Sequence, residues 1–319
     1  MALRLVFFGT PEFAVPTLER LVASAHDVVA VVTQPDRPRG RGQQVQPEAV
    51  KVAALERGLT LIQPDRLNEP RFQRQLESFA PDLGVVAAYG RLLPQWLIDL
   101  PRLGTINVHA SLLPRWRGAA PVHRAVIAGD RLTGVTIMRV VLALDAGPML
   151  ARAQTEIGAE ETSRELEVRL ATLGANLAGT TIDRLALGPV TETAQDEAQM
   201  TYAARLTRRD SAIDWTRSAD EIHNQIRGVQ PWPLAGSMLK GRRVMFLRSA
   251  VDDRPVDAAA AGTIAAVGSD SFTVAAGQGG VRILELQEAG RAAMSVAAYL
   301  NGRRVAVGEE LLPLPEPAG

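Results

Sequence analysis

The chain has 319 residues, 46% of them hydrophobic, and its 35 lysines and arginines balance its 35 aspartates and glutamates. It has no cysteine, which excludes disulfides, thiolate metal ligands and cysteine nucleophiles. The length predicts two domains. Because no apolar run approaches the roughly 18 residues of a membrane helix and the first residues enter a strand at once, we expect a cytoplasmic protein without a membrane partner.

The first half of the chain alternates apolar strands with helices, which predicts a doubly wound, mostly parallel α/β sheet. Thr10 is expected to cap the first helix, which then continues to about Ala25. One glycine, Gly9, follows the first strand where a dinucleotide fingerprint needs three, so an NAD-dependent oxidoreductase is disfavoured. Strands are predicted at residues 3–8, 28–33, 59–62, 83–88, 104–108 and 133–140.

An arginine-rich segment, QPDRPRGRGQQ, follows the second strand at residues 34–44. Its glycines and prolines predict neither helix nor strand, and its arginines make burial unfavourable. Two interpretations stay open, a solvated loop without a task or an arm that contacts phosphates and orders on binding. The arginines of this segment are Arg37, Arg39 and Arg41.

A long helix over residues 162–187, capped by Thr162 and stopped at Gly188 and Pro189, is expected to close the first domain. We therefore predict a catalytic domain at 1–189, a polar linker at 190–205 and a C-terminal domain at 206–319. Five short strands separated by glycine-rich turns predict that the last domain is a small OB-like β-barrel.

The stretch GTINVHASLLPRWRGAAP, residues 104–121, carries the most chemistry. Asn107 and His109 lie two apart on a strand and therefore share a face at its carboxyl end, where open α/β sheets bind ligands. A carboxamide beside an imidazole can donate hydrogen bonds to a developing oxyanion. Taken alone, His109 is more simply a structural histidine, and Asp145, in LALDAGPML, is a turn-forming residue.

Taken together, these motifs resemble the folate-dependent formyltransferases. The resemblance starts from the Asn-x-His strand, the SLLP run after it and the LDAG turn at 144–147. The segments FFGTPEFA, TQPDRPRGRG, VVAAYG, TGVTIM and PWP extend it over nearly the whole chain, and make the chain most similar to the family members that act on methionyl-tRNA. The resemblance implies a Rossmann-like formyltransferase domain followed by an OB-like domain.

The resemblance also implies the chemistry. The α-amine of methionyl initiator tRNA would attack the formyl carbon of the co-substrate 10-formyltetrahydrofolate, giving N-formylmethionyl-tRNA for translation initiation. Asn107 and a protonated His109 would stabilise the formyl oxygen, and Asp145 would hold His109 and assist proton transfer to the leaving folate nitrogen. No metal is needed for this reaction.

By the same resemblance, binding residues are assigned to both substrates. Arg115 and Arg117 could contact phosphate, or pair with acids and stack on Trp116, and these two interpretations stay equal. Gln43 and Gln44 stand where members of the family often carry lysines, which removes possible phosphate contacts. The folate would contact Tyr89, Gly90, Ser111, Leu112, Leu113 and Pro114. The tRNA would contact Arg37, Arg39, Arg41, Arg115, Arg117, Lys240, Arg242 and Arg243.

Three other functions stay open at this point. A formyltransferase of the same kind could act on a small amine such as glycinamide ribonucleotide or an amino-sugar nucleotide, although the barrel, the PWP motif and the arginine-rich segment favour tRNA. A hydrolase of 10-formyltetrahydrofolate would use the same three catalytic residues. A non-catalytic RNA-binding protein would not need them. We expect a monomer, since no dimerisation segment is evident.

Overall fold

The computed structural model describes residues 1–39, 44–252, 256 and 259–315, and the chain divides into two compact units. None of the helices within those ranges is both long enough and apolar enough to cross a membrane. The first unit comprises Met1–Pro121, Thr133–Thr155 and Glu167–Ala203. The second comprises Val122–Leu132, Glu156–Leu166 and Ala204–Gly319.

The helices follow the predicted alternation. They are α1 (Val15–Val22), α2 (Ala49–Glu56), α3 (Pro70–Ser78), α4 (Gln95–Asp99), α5 (Pro121–Ile127), α6 (Ser163–Leu187), α7 (Ala219–Gly228) and α8 (Val296–Gly302). Short 3₁₀ turns lie at Glu12–Ala14, Glu197–Gln199 and Arg208–Ser211.

The strands up to the end of the first unit are β1 (Arg4–Gly9), β2 (Asp27–Val32), β3 (Arg37–Arg39), β4 (Gln44–Gln46), β5 (Leu61–Ile62), β6 (Leu83–Ala87), β7 (Thr105–His109), β8 (Arg117–Gly118), β9 (Leu132–Arg139), β10 (Met149–Glu156) and β11 (Tyr202–Ala203). Those that follow are β12 (Ala235–Leu239), β13 (Arg242–Asp252), β14 (Ile264–Val267), β15 (Phe272–Ala275), β16 (Gly280–Glu288), β17 (Met294–Ser295) and β18 (Leu311–Leu312).

The first unit is built on a seven-stranded sheet in the order β10-β9-β7-β6-β1-β2-β5. The strands from β7 to β5 run parallel, and β9 runs antiparallel to β7. The predicted mostly parallel, doubly wound sheet is therefore confirmed. After β1 the chain builds outward through β2 and β5, then returns to the other side of β1 with β6. Ligands bind such sheets beyond the carboxyl ends of the strands at this reversal, between β1 and β6.

The start of the first helix differs from the prediction. Thr10 does not cap it, because the 3₁₀ turn Glu12–Ala14 intervenes and α1 begins only at Val15, with no side-chain cap on either. Thr10 is buried, and its hydroxyl donates a hydrogen bond to the backbone oxygen of Tyr89 at 3.2 Å. The side chain that could have capped a helix instead joins the carboxyl ends of β1 and β6.

The prediction that the arginine-rich segment forms neither helix nor strand is wrong for Arg37–Arg39 and for Gln44. β3 and β4 pair antiparallel, with Arg37 opposite Gln46 and Arg39 opposite Gln44. The ladder needs only backbone N–H and C=O groups, which polar residues supply as well as apolar ones. Arg41, on which a tRNA contact was predicted, lies outside the described residues.

The prediction for the long helix is confirmed. At the start of α6 the Thr162 hydroxyl accepts from the backbone N–H of Glu165 at 3.3 Å, and the Glu165 carboxylate accepts from the backbone N–H of Thr162 at 2.8 Å. This reciprocal capping box satisfies two N–H groups that a helix start leaves unpaired. The helix ends at Leu187, directly before Gly188 and Pro189.

The second unit contains an antiparallel sheet in the order β14-β15-β16-β13-β12-β18, with β17 added on β16. The two ends of this order meet, because Thr263 forms an antiparallel bridge with Glu310 and the N–H of Leu311 donates to the oxygen of Gly262 at 2.8 Å. Buried side chains of α7, such as Ile222 and Ile226, belong to its core. The fold is that of the predicted OB-like domain.

Candidate active site

Two of the predicted catalytic side chains lie close together in the first unit. His109 is the last residue of β7, and Asp145 lies in the turn between β9 and β10. His109 Nδ1 is 3.7 Å from Asp145 Oδ2, and the two side chains are only 6% and 14% exposed. At that distance the contact is electrostatic and too long for a hydrogen bond. Asn107, two residues earlier on the same strand, is half-buried on the same face.

The imidazole of His109 is oriented from its other side by a backbone carbonyl. Nε2 lies 2.9 Å from the backbone oxygen of Trp116. A carbonyl oxygen can only accept, so Nε2 carries a hydrogen and Nδ1 is the nitrogen that faces Asp145. The Ser111 hydroxyl donates to the backbone oxygen of Arg115 at 2.7 Å and holds the same turn. The ring therefore lies between two acceptors.

The position of Asp145 depends on a hydrogen bond from a backbone N–H and on a left-handed backbone conformation. The N–H of Gly118 donates to Asp145 Oδ2 at 2.9 Å. Asp145 has φ +48°, a left-handed conformation that costs a residue with a Cβ roughly 1 kcal/mol. The turn closes on Gly147, where an added Cβ would lie 1.9 Å from the oxygen of Arg139. The carboxylate is thus positioned by a tight turn with no space for larger residues.

Gly118 permits a close approach of two backbone segments. It has φ +114°, and a Cβ there would lie 2.7 Å from the Tyr202 ring and 2.9 Å from the oxygen of Ala203. The N–H of Ala119 donates to the same Ala203 oxygen at 3.0 Å. The N–H that reaches Asp145 therefore depends on the absence of a side chain at position 118.

The predicted folate residues Tyr89 and Gly90 follow β6, at the reversal of the strand order. The Tyr89 ring lies in the core against Phe8, with ring centroids 5.7 Å apart, and burial raises the pKa of its hydroxyl to about 12. Gly90 is exposed with φ +77°, and a Cβ there would meet the Gln34 amide at 2.7 Å. That amide also donates to the Tyr89 oxygen at 2.7 Å. This edge offers backbone groups, whereas the phenol ring is buried in the core.

The other predicted folate residues, Ser111 to Pro114, form a rigid turn after β7. Ser111 and Leu113 are fully buried, whereas Leu112 and Pro114 are half-buried. The Thr136 hydroxyl donates to the Ser111 oxygen at 2.7 Å and accepts from the Leu113 N–H at 3.1 Å. This turn is therefore fixed to β9.

Arg115 and Arg117 have different surroundings. The Arg115 guanidinium lies 4.4 Å from the centroid of the Trp116 ring, within range of a cation–π contact. The Arg117 side chain is 7% exposed and pairs with Glu197 at 2.6 Å, which holds the pKa of that carboxyl below its usual range. Arg117 is thus buried in an ion pair, whereas Arg115 is exposed at the surface.

The predicted tRNA residues of the barrel lie at the surface of the second unit, around the turn between β12 and β13. Lys240 pairs with Glu309 at 2.7 Å, and Arg242 pairs with Glu288. Arg243 is exposed. For Arg37 and Arg39, in β3, the structure describes only the backbone.

Comparison with known proteins identifies the family. Residues 3–182 match the formyl transferase family, and residues 205–304 match its C-terminal domain. Proteins named methionyl-tRNA formyltransferase from Methylococcus capsulatus and Halorhodospira halophila are 45% and 47% identical to the chain. The matches cover 95% and 97% of this chain and 98% and 99% of the relatives. The chain belongs to the methionyl-tRNA formyltransferase family.

Solved structures support the fold of this formyltransferase family member. The N-formyltransferase from Helicobacter canadensis, in complex with folinic acid and dTDP-3-aminofucose, matches with a TM-score of 0.67 at 17% identity, over 88% of this chain and 98% of its own. HypX from Aquifex aeolicus, in complex with tetrahydrofolic acid, matches with a TM-score of 0.62 at 16% identity, over 95% of this chain and 47% of its own. At these identities the likeness shows the fold alone.

Three residues that contact the loops of the formyltransferase site were not predicted from the sequence. Gln195, Glu197 and Thr201 lie in the segment predicted to be a polar linker, and all three contact residues 116–118 or 145–147. The segment has no hydrophobic periodicity that could have indicated these contacts. Within the described part of the chain, no three His, Asp or Glu side chains are grouped to hold a metal ion.

Proposed function

We propose that the chain transfers the formyl group of 10-formyltetrahydrofolate to the α-amine of methionyl initiator tRNA. The observation that carries this proposal is the convergence of His109 and Asp145, 3.7 Å apart, at the carboxyl end of β7. Support comes from relatives named methionyl-tRNA formyltransferase, which match the chain over 95–97% of its length.

Attack of the amine on the formyl carbon places negative charge on the formyl oxygen. We assign stabilisation of that charge to the Asn107 carboxamide and to the imidazole of His109, which share one face of β7. A protonated ring donates a hydrogen bond from Nε2 to the Trp116 oxygen and is attracted by the Asp145 carboxylate.

We assign the proton transfer to Asp145. The attacking amine must lose a proton and the leaving folate nitrogen must gain one, so a carboxylate between them acts first as base and then as acid, directly or through one water. Oδ2 is held by the Gly118 N–H, which leaves Oδ1 as the oxygen that we assign to the transfer. The chain forms no covalent intermediate in this scheme.

We place the folate beside the carboxyl ends of β1, β6 and β7. The exposed backbone around Gly90 and the half-buried side chains of Leu112 and Pro114 are available there for contact. Tyr89, Ser111 and Leu113 are buried, so we assign them backbone contacts only.

We propose that the tRNA contacts Arg37, Arg39 and Arg41 with its acceptor end. Arg115 and the barrel residues Lys240, Arg242 and Arg243 provide further cations. The side chains of Lys240 and Arg242 are 49% and 57% exposed, so a phosphate can approach them while they pair with Glu309 and Glu288. We leave Arg117 out of these contacts because its guanidinium is buried against Glu197.

We also propose the domain boundaries of the sequence prediction, with the catalytic domain at 1–189, a linker at 190–205 and a tRNA-binding domain at 206–319. Action as a monomer in the cytoplasm stays a prediction. A light-scattering mass near twice 34.2 kDa would contradict the monomer.

An acceptor competition tests the proposed function. The purified chain is mixed with 10-formyltetrahydrofolate and with methionine-charged initiator tRNA, charged elongator tRNA or glycinamide ribonucleotide, and formyl transfer is followed by mass spectrometry. We expect rapid formylation of the initiator species alone. Transfer to the small amine would refute the tRNA assignment and retain the catalytic one. No transfer to any acceptor would favour the hydrolase or the non-catalytic RNA-binding protein.

A further inference from the structure

The segment Thr193–Ala203, which we call the strap, lies across two loops of the candidate site within the first unit. At its start, Thr193 and Met149 exchange backbone hydrogen bonds of 2.9 and 2.8 Å, just after the Asp145 turn. At its end, β11 pairs in parallel with β8. The strap therefore contacts the loop that carries Asp145 and the loop that carries the acceptor of His109.

Gln195 is the strap residue that contacts both loops through one side chain. Its Nε2 donates to the backbone oxygens of Asp145 and Gly147, each at 2.8 Å. Its Oε1 accepts from Nε of Arg117 at 2.9 Å. Both hydrogens and the oxygen of the amide are used, which only a glutamine or asparagine side chain can do here.

The partner of the Gln195 oxygen is itself fixed. Arg117 is 7% exposed, and its guanidinium makes two hydrogen bonds to Glu197, at 2.6 and 3.1 Å. The Thr201 oxygen accepts from the Arg117 N–H, and the Thr201 hydroxyl accepts from the Trp116 N–H, both at 2.9 Å. Trp116 in turn supplies the carbonyl that orients His109.

We propose that Gln195 is a positioning residue that fixes the Asp145 carboxylate relative to His109. The Asp145 side chain is held by the N–H of Gly118, and its backbone is held by the Gln195 amide, which also holds the residue next to Gly118. Gln195 thus sets the distance between the donor and the acceptor of that hydrogen bond. The inference rests on the proposed function, because Asp145 needs this position only if it transfers the proton.

The substitution Gln195→Glu tests the inference, because it replaces the amide NH2 group by one oxygen and changes almost no volume. The carboxylate keeps the contact with Arg117 but faces the oxygens of Asp145 and Gly147 without a hydrogen to donate, so the turn is pushed away. Since a displacement of about 1 Å costs roughly 100-fold in rate, we expect kcat for formyl transfer to initiator methionyl-tRNA to fall about 100-fold. KM for both substrates should change less than about threefold.

Gln199→Glu is the matched control. Gln199 is an exposed strap residue whose amide donates to Asp196 at 2.7 Å, away from both loops. The same change of charge there should leave kcat within about twofold of the wild type. If Gln199→Glu loses as much activity as Gln195→Glu, the effect is one of charge on the strap and the inference is overturned.

A double variant separates positioning from loss of stability. In the Asp145→Ala background, Gln195→Glu should lower the remaining rate less than about threefold, because the carboxylate it positions is absent. A further 100-fold loss in that background would overturn the inference. If Gln195→Glu does not fold, as judged by its thermal unfolding, Gln195→Ala replaces it, since that change removes the donors without adding a charge.

The same assay keeps the two proposals distinguishable. If the wild-type chain transfers no formyl group to the tRNA, the proposed function fails. If the wild type is active and Gln195→Glu is equally active, the inference fails and the proposed function stands.

Discussion

The close approach at Gly118 gives the most quantitative prediction. An alanine at this position keeps the N–H that donates to Asp145 but adds a Cβ at 2.7 Å from the Tyr202 ring and 2.9 Å from the Ala203 oxygen. The positive φ costs about 1 to 2 kcal/mol and the overpacking about 1 to 3 kcal/mol. We expect Gly118→Ala to lose about 3 kcal/mol of unfolding free energy, which lowers Tm by roughly 4 to 5 °C for a chain of this length.

Gly58→Ala is the control for a positive φ without crowding. Gly58 has φ +63°, and a Cβ there would have no atom within 4 Å. It should therefore lose only about 1 kcal/mol, the cost of the left-handed conformation. Thermal unfolding of the two variants beside the wild type measures the difference, which belongs to the contact with the strap and to the larger φ of Gly118.

The activity of Gly118→Ala reports on Asp145. If the added methyl group moves the N–H away from the carboxylate, a charge-assisted hydrogen bond of about 1.5 to 3 kcal/mol is lost, and kcat falls about 10- to 100-fold. Gly58→Ala should keep full activity. A Gly118→Ala variant as stable and as active as Gly58→Ala would show that the close approach does not hold the carboxylate.

Two further predictions concern Asp145 and Glu165. Asp145→Asn keeps the acceptor for Gly118 but removes the base, so single-turnover formylation should slow at least about 100-fold with little change in substrate KM; a loss below tenfold would contradict the proton transfer. Hydrogen bonds from the Arg248 guanidinium and, to a smaller extent, from Thr162 lower the pKa of Glu165 from 4.5 to about 2. The lowered pKa stabilises the fold fully above pH 4.5, and this contribution, at most about 1 kcal/mol for an exposed pair, is lost as the pH falls towards 2. The Tm difference between wild type and Glu165→Gln should therefore shrink from pH 7 to pH 3, and a constant difference would refute the linkage.

The sequence predicted the sheet and the position of the candidate site because both depend on local periodicity. Alternating apolar strands and helices require a parallel sheet, and the two-residue period of a strand places Asn107 and His109 on one face. Thr162 and Gly188 delimit α6 by capping chemistry that is complete within one turn of helix. These features need no knowledge of distant contacts.

The sequence could not predict which distant groups would compete for the same side chain. Thr10 is a residue type that often caps helices, yet its hydroxyl donates a hydrogen bond to the Tyr89 oxygen just after β6. The residues around Gln195 show no periodic pattern of apolar side chains. The three hydrogen bonds of Gln195 go to residues more than forty positions away in the chain. Gly118 gives no local signal that Ala203 lies against it. Such contacts depend on the tertiary fold and produce no periodic pattern in the sequence.

The closure of the second unit has a consequence for its solubility. An open antiparallel sheet exposes two rows of unpaired N–H and C=O groups, on which strands of other chains can add. Here the few residues around Glu310 and Leu311 pair with β12 on one side and with the start of β14 on the other. Loss of this short segment would create two free edges at once. The last strand is thus small in area but protects the chain against edge-to-edge aggregation.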